Sequence, residues 1–172
     1  MIRLFLVTTV LFAHATIVFS QSKTTENLHK KYADSRSFFF YNNTLRMLNQ
    51  EENKEFDELI KDIEKMKLLM INRPVNKIEK AEVNKLSAAY KAEAYEQMMV
   101  ARHSGKNVEV LLKEKNGKTI GTVFLMTDDE YVYVLDILGS VALNKVTSFL
   151  NTLDKSTELN NKISAFKSAF ED

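Results

Sequence analysis

Asp136 is the residue whose neighbours in the sequence could most readily give it chemistry. It follows Val132 and Val134 at alternating positions, so these three side chains share one face of a predicted strand. A buried aspartate needs hydrogen-bond partners or takes a raised pKa, and such groups occur at active sites. No second carboxylate accompanies it to form a hydrolase pair. We therefore predict no catalytic residue and expect Asp136 to lie on an exposed face or at a sheet edge.

The sequence contains no recognisable metal or nucleophile pattern. His29 and His103 belong to no HxH or HExxH spacing, and the glycines and serines form no phosphate loop or GxSxG context. The run Asp128–Glu130 is more typical of a solvated turn than of a calcium loop, which distributes its ligands over a longer, glycine-containing segment. There are no cysteines, which excludes disulfides, thiolate metal sites and cysteine nucleophiles. We expect no metal and no cofactor.

Two apolar features remain as candidate contact surfaces. Phe38–Tyr41 is a run of four aromatic residues, typical of a covered strand; Phe38 and Phe40 are the members that could instead line a pocket or docking groove. The second feature is a helical stripe near the end of the sequence, formed by Leu159, Ile163, Phe166 and Phe170. The stripe is expected to pack on its own domain, or else on a second subunit or a partner.

Charge and composition narrow the class of partner. The chain has 172 residues, 45% of them hydrophobic and 27% charged, which predicts one globular domain. Lys and Arg number 24 and Asp and Glu 23, for a net charge of +1. A nearly neutral chain lacks the field that gathers nucleic acid or anionic lipid. We expect no nucleic-acid partner.

Residues 1–20 have the layout of a secretory signal. Arg3 precedes an apolar run from Leu4 to about Ala13, and small residues follow. Cleavage is predicted ahead of Gln21, with a second candidate site after Ala15. The apolar stretch falls short of the roughly 20 residues that span a bilayer. These features predict an exported protein, periplasmic or secreted, with no membrane span after signal removal.

The first half of the mature chain predicts a strand, a helix, a second strand and a long helix. Residues 21–36 are expected to be a loose polar leader with at most a helical turn. A helix with Phe56, Leu59, Ile60 and Ile63 on one stripe separates strands at Phe38–Tyr41 and Met66–Ile71. The longest helix is predicted from Asn76 to about His103, because that segment contains no Gly or Pro.

The second half predicts a three-stranded meander followed by helices. Asn116–Gly117 lies between two strand-like segments, the usual signal of a two-residue hairpin. Return strands are predicted at Thr119–Thr127 and Tyr131–Leu138, and then a helix marked by Leu143, Val146, Leu150 and Leu153. The pattern predicts an α+β two-layer sandwich over residues 37–155, with an approximately five-stranded mixed sheet and a C-terminal amphipathic helix over 156–172.

Several segments resemble a known family. They are YEQMM at 95–99, VLLKEKNGK at 110–118 and TDDEYVYVLDILG at 127–139, with looser likeness over about 38–153. They resemble a family of small secreted proteins common in Bacteroidota, domain of unknown function 4252. The resemblance implies an exported α+β domain and assigns no reaction or ligand. Members often carry a lipoprotein cysteine or a plain signal, and this chain has only the latter.

The combined expectation is an exported, non-enzymatic binding or protein-interaction domain of the periplasm or cell envelope. Its partner would be an unknown envelope protein or a second copy of the chain. Two alternatives stay open. One is a carrier of a small apolar ligand, and the other is a hydrolase or isomerase centred on Asp136.

Overall fold

The computed structural model describes residues 21–48, 54–103 and 105–141. The helices are α1 Lys23–Lys31, α2 Asn42–Leu48, α3 Lys54–Ile60, α4 Arg73–Asn76 and α5 Lys80–Ala92. The strands are β1 Arg36–Tyr41, β2 Ile63–Asn72, β3 Glu96–His103, β4 Lys106–Lys115, β5 Lys118–Thr127 and β6 Tyr131–Gly139. The predicted signal segment, the helix after residue 142 and the C-terminal stripe of Leu159, Ile163, Phe166 and Phe170 lie outside the described residues.

The described strands form one six-stranded sheet in the order β1-β2-β6-β5-β4-β3, and every neighbouring pair is antiparallel. The predicted two-layer sandwich with about five strands in a mixed sheet is therefore wrong. A parallel β1–β2 pair would need a crossover that returns the chain along the whole strand. The helices between them, α2 and α3, have seven residues each, about 10 Å apiece, and β2 is about three times as long. The two strands accordingly run antiparallel.

The strand that the sequence analysis did not predict is β3, which lies at the end of the segment predicted as one long helix. The α5 helix ends at Ala92, and Ala94 then takes a left-handed conformation with φ of 64°. From Glu96 onward the chain pairs with β4. Helical propensity and the absence of Gly and Pro did not prevent this, because β4 supplies the long-range hydrogen bonds that a propensity argument omits. The predicted helix from Asn76 to His103 is wrong beyond Ala92.

The predicted hairpin is confirmed. Asn116 and Gly117 have φ values of 53° and 71°, and Lys115 pairs with Lys118 on either side of them. Positive φ at both central positions matches the right-handed twist of the strands. The return strand and β6 also form where the alternation predicts them. The residue pattern was sufficient here because a two-residue turn sets the register locally.

Helices lie against both faces of the sheet, so there are two apolar clusters. On one face Leu69 of β2 and Val134 of β6 pack with Leu28 of α1 and Tyr90 of α5. The other face has Val110, Phe124, Leu135 and Ile137, which pack with Leu45 of α2 and Ile60 of α3. Within the described ranges, no helix is long and apolar enough to cross a membrane. The face covered by α1 and α5 is the one that holds the polar site.

The segment expected to be a loose leader contains α1, a helix with a defined start. The side chain of Ser22 caps it by accepting hydrogen bonds from the backbone N–H groups of Thr24 and Thr25. Leu28 and Thr25 are buried beneath the helix. A cap and a single buried stripe hold a nine-residue helix in place once the sheet is there to receive it.

Candidate functional site

Asp136 lies near the centre of the sheet rather than at an edge. On β6 it is flanked by Lys67 of β2 and Val123 of β5, and its side chain is fully buried. Placement on an exposed face or at a sheet edge was therefore the wrong expectation. The strand order explains this, because β6 is last in sequence but third in the sheet. Sequence adjacency alone would place it beside β5 only.

The start of α1 covers the Asp136 carboxyl group. The backbone N–H of Ser22 donates to Oδ2 of Asp136 at 3.0 Å, and Nε2 of Gln21 donates to the backbone oxygen of Asp136 at 3.3 Å. Gln21 and Ser22 are themselves buried. The other carboxyl oxygen, Oδ1, has no hydrogen-bond partner among the described residues. One half of a buried carboxyl group is thus left unsatisfied.

A second carboxylate, Glu93, holds the same helix end from the side of α5. It accepts from the backbone N–H groups of Lys23 at 2.9 Å and Thr24 at 2.6 Å, and from the hydroxyls of Thr24 and Ser22 at 2.5 and 3.1 Å. Burial alone would raise the pKa of Glu93, but these hydrogen bonds outweigh it and hold the pKa below its ordinary value. Glu93, at the end of α5, therefore caps the N-terminus of α1 with an ionised side chain.

Lys67 brings a buried cation to the same region. Its side chain is only 3% exposed and forms an ion pair with Glu26 of α1. Its Nζ also lies 4.7 Å from the centroid of the Phe39 ring, within cation–π range. Lys67 is adjacent to Asp136 in the β2–β6 register. The site thus contains two residues of opposite charge on neighbouring strands, Lys67 and Asp136, and a further acid, Glu26, on α1.

Two tyrosines and a threonine surround the site: Thr25 of α1, Tyr90 of α5, and Tyr95, which directly precedes β3. The hydroxyls of Thr25 and Tyr90 lie 2.9 Å apart, and the rings of Tyr90 and Tyr95 meet edge to face with centroids 5.8 Å apart. Burial raises the pKa of both tyrosines well above the ordinary value, and the Asp136 carboxylate adds to this. Both phenols therefore stay protonated and neutral at physiological pH.

Burial also raises the pKa of Asp136, and it outweighs the opposing effects of the Thr25 hydroxyl, the Ser22 N–H and the Lys67 ammonium. A substrate could reach this carboxyl group only if α1 moved away, because the side chain has no exposed surface. The arrangement can bind a cation or donate and accept a buried proton. While α1 is in place, a substrate from the solvent cannot reach the Asp136 carboxyl group.

Two cavities lie near the described elements. One of about 240 Å³ adjoins the site and is lined in part by Glu26, Phe39 and Lys67. The other, of about 590 Å³, lies where β2 begins and β6 ends, with Asp62, Glu64 and Lys118 in its lining. Pockets for small apolar ligands are lined mainly by hydrophobic and aromatic side chains. The smaller cavity combines charged residues with Phe39, Phe40, Tyr41 and Met66, and the larger one is lined mainly by polar and charged residues.

The remaining sequence candidates within the described residues contribute no side chain to the Asp136 site, although Phe40 lines the smaller cavity. Phe38 and Phe40 stack on the opposite sheet face, with centroids 6.5 Å apart and both half-buried. Asp128 forms the expected turn by accepting hydrogen bonds from the backbone of Glu130 and Tyr131. Within the described part of the chain, no three His, Cys, Asp or Glu residues are grouped to hold a metal ion.

Sequence reasoning missed most of the site. Gln21 and Ser22, Lys67 and Glu93 come from three places in the chain that only the tertiary fold brings together. A weak signal was present at α1, where Ser22 precedes a segment with Glu26 in its first turn, as helix starts commonly do. Nothing in the sequence pairs that helix start with β6.

The comparisons with known proteins concern the sheet more than the site. The profile of the family described as "Domain of unknown function (DUF4252)" matches residues 35–149. The chain belongs to this family. The identification made from the sequence segments is therefore confirmed. In this DUF4252 protein the match includes β1 through β6, and α1 with Gln21 and Ser22 precedes it. No curated protein and no solved structure matches the chain.

Proposed function

We propose that this DUF4252 protein is an exported, non-enzymatic interaction domain of the cell envelope that binds an extended segment of a partner protein along β3. The observation that carries the proposal is the exposed apolar edge of the sheet. Met98 is 54% exposed, Met99 40% and Val100 52%. They follow one another on a single strand at the end of the strand order.

The backbone of β3 offers the second element of recognition. Its inner side pairs with β4, and no described strand pairs with its outer side. An open strand edge presents N–H and C=O groups to which an extended peptide adds as another strand. Backbone hydrogen bonds would supply affinity, and the exposed side chains would supply selectivity. Methionine suits such a contact because its flexible side chain adapts to differing partners.

Charges at the two ends of β3 narrow the partner further. Glu96 and Arg102 are both exposed and lie on either side of the apolar residues. A matching segment would have small or medium apolar side chains in its middle, with a basic group opposite Glu96 and an acidic group opposite Arg102. Such a segment belongs to a folded or flexible protein partner, since neither nucleic acid nor lipid offers this hydrogen-bonding edge.

The other two functions have less support from the geometry. A hydrolase or isomerase centred on Asp136 requires substrate access that α1 closes off. A carrier of a small apolar ligand requires an apolar cavity. The larger cavity is lined mainly by polar and charged residues, and the smaller one, although partly aromatic, also has Glu26, Lys65 and Lys67 in its lining. The β3 edge, by contrast, is accessible without any rearrangement.

The test is site-specific photo-crosslinking in the envelope of the protein's own host. A photoreactive residue at Met99 is expected to give one discrete crosslinked species, which Val100→Lys abolishes because a charge enters the apolar contact. The matched control is Val75→Lys, since Val75 is 77% exposed and lies on α4. It should leave the crosslink intact. Circular dichroism of both variants checks that the fold is retained.

Three outcomes would contradict the proposal. They are no crosslink at Met99, an equal loss of the crosslink with Val75→Lys, and a crosslink that Val100→Lys leaves intact. Native mass measurement of the crosslinked species distinguishes a second copy, seen as a doubled mass, from a different protein.

A further inference from the structure

The backbone nitrogen of Gln21 lies close to the Asp136 carboxyl group. The nitrogen of Ser22 is 3.0 Å from Oδ2 of Asp136. Standard bond lengths place the backbone nitrogens of adjacent residues less than about 4 Å apart. The nitrogen of Gln21 is therefore within about 7 Å of Oδ2. In the uncleaved chain Gln21 is only 5% exposed, and its side-chain amide holds it against the backbone oxygen of Asp136.

The charges that face this point are unbalanced. Carboxylates come from β6, α1 and the end of α5, as Asp136, Glu26 and Glu93. From β2 comes one described cation, Lys67, which forms its ion pair with Glu26. Lys113 of β4 lies over the Tyr95 ring, 5.4 Å from its centroid. The Oδ1 atom of Asp136 has no described hydrogen-bond partner, and its neighbour Lys67 is shared with Glu26, so one further positive donor would balance the site.

We propose that signal cleavage supplies this donor: the α-ammonium group of Gln21, freed at the predicted cleavage point, binds Asp136 and completes the buried site. Hydrolysis of the Ser20–Gln21 peptide bond consumes one water, leaves the carboxylate on Ser20 and gives Gln21 a free amino group. An α-amino group has an ordinary pKa of about 7.7 to 8.0, so it is protonated at neutral pH. Before cleavage the same atom is an uncharged amide nitrogen.

The consequence is that processing stabilises the folded state of the exported chain. An ammonium group near a buried carboxylate is attracted more strongly than in water, because the surrounding medium screens less. The stabilisation exists only after cleavage, so the mature form is the more stable one. This inference rests on the export that is part of the proposed function, and its test separates the two.

The experiment uses the full chain, exported and processed in a Gram-negative host. Intact mass first identifies the N-terminal residue of the purified product. One portion keeps its free terminus. Another is unfolded and incubated until Gln21 cyclises: the α-nitrogen attacks Cδ of the side chain, ammonia leaves, and a neutral ring amide remains. Both portions are then refolded, and their folding equilibrium constants are measured in denaturant.

The comparison is repeated in Asp136→Asn and in the matched control Asp129→Asn, which changes an exposed acid. Cyclisation should lower the folding equilibrium constant about tenfold in the parent and the control, in line with couplings of close charge pairs. In Asp136→Asn the effect should shrink to about twofold or less. Cyclisation also removes the Gln21 side-chain amide, which donates to the backbone oxygen of residue 136. This loss is the same in all three chains, because neither substitution changes that oxygen.

An equal effect of cyclisation in all three chains overturns the ion pair while leaving export intact. A product that begins at Thr16, or that is not cut, overturns the inference at its premise. If Asp136→Asn does not fold, the pKa of the α-ammonium is measured in the parent from the pH dependence of its acylation. A value above about 8.0 supports the inference, and one at or below the ordinary range overturns it.

Discussion

Single residues at the start of α1 perform several tasks at once. Ser22 caps the helix with its hydroxyl, donates its N–H to Asp136 and donates its hydroxyl to Glu93. Glu93 receives four of the donors around this helix end. Since an unpaired buried donor costs free energy, these two residues together account for the position of α1 on the sheet.

Replacing Glu93 with glutamine should lower the free energy of unfolding by about 2 kcal/mol near neutral pH. The amide keeps one acceptor and loses both the charge and the second acceptor, and hydrogen bonds to charged groups are worth about 1.5 to 3 kcal/mol. The measurement is urea unfolding followed by circular dichroism. The matched control is Glu79→Gln, because Glu79 is exposed and makes no side-chain cap hydrogen bond.

The pH dependence of this loss has a definite sign. The pKa of Glu93 in the folded protein lies below its ordinary 4.5, so its contribution is present above that pH. It is lost as the pH falls from 4.5 through the folded pKa, where the parent carboxylate also becomes protonated. The difference between parent and Glu93→Gln should shrink over that range. A difference that stays constant from neutral pH down to strong acid would contradict this role.

For single residues, the sequence showed which side chain was unusual but not which other residues it contacts. Asp136 could be singled out because it interrupts an apolar strand pattern. That it meets Ser22 and Lys67 could not be inferred, since the first contact depends on where α1 packs and the second on the strand order. The alternation of side chains predicts which face a residue occupies, and it does not predict which strand comes next to it.

Among the elements, β2 and β6 come into close backbone contact where β2 begins and β6 ends. Gly139, the last residue of β6, has φ of 113°, and a Cβ placed on it would lie 2.1 Å from the backbone oxygen of Asp62. The next residue, Ser140, donates its N–H to that same oxygen at 3.0 Å. Only glycine permits this approach and this conformation together.

Gly139→Ala should therefore destabilise the protein by at least about 3 kcal/mol, combining backbone strain with overpacking. Gly105→Ala is the control, because it has a positive φ of 78° but no heavy atom within 4 Å of its added Cβ. It should cost about 1 kcal/mol. Thermal and denaturant unfolding of the two variants measure the contrast. Equal losses would show that the contact with Asp62 is unimportant.

The elements also show where sequence patterns are reliable. The β4–β5 hairpin was predictable because Asn116–Gly117 sets both turn and register within a few residues. The β3 strand was not, because Glu96–His103 takes its structure from β4 rather than from its own propensity. The fold class was misjudged for the same reason, since one missed strand and one assumed crossover changed both the strand number and the strand directions.

In the whole molecule, β6 is the strand best protected from solvent and the edge strands β1 and β3 are the least protected. β6 has neighbours on both sides, and its residues from Val134 to Leu138 are all buried. The apolar residues of β3, in contrast, are largely exposed. Amide protection follows local burial and hydrogen bonding, so the sheet should open from its edges.

Hydrogen exchange followed by mass spectrometry should accordingly find the slowest backbone amides in β6 and faster exchange in β3 of the isolated protein. Peptides from β5 act as an internal reference, since β5 is also an inner strand. Protection of β3 equal to that of β6 would contradict this ordering. A partner bound along β3 should slow the exchange of the β3 amides selectively and leave the exchange of the β6 amides unchanged.

The place of β6 between β2 and β5 has a consequence for how the chain is made. Synthesis delivers β1 and β2 first, then β3, β4 and β5, and β6 last of the described strands. Until β6 arrives, β2 has an unpaired side, and the two groups of strands share no hydrogen-bonded boundary. Completion of the sheet is therefore a late, long-range closure, the kind of step that slows folding and leaves strand edges exposed. A chain of this design depends on being kept apart from neighbouring chains until residue 139 has been synthesised and β6 can pair with β2 and β5.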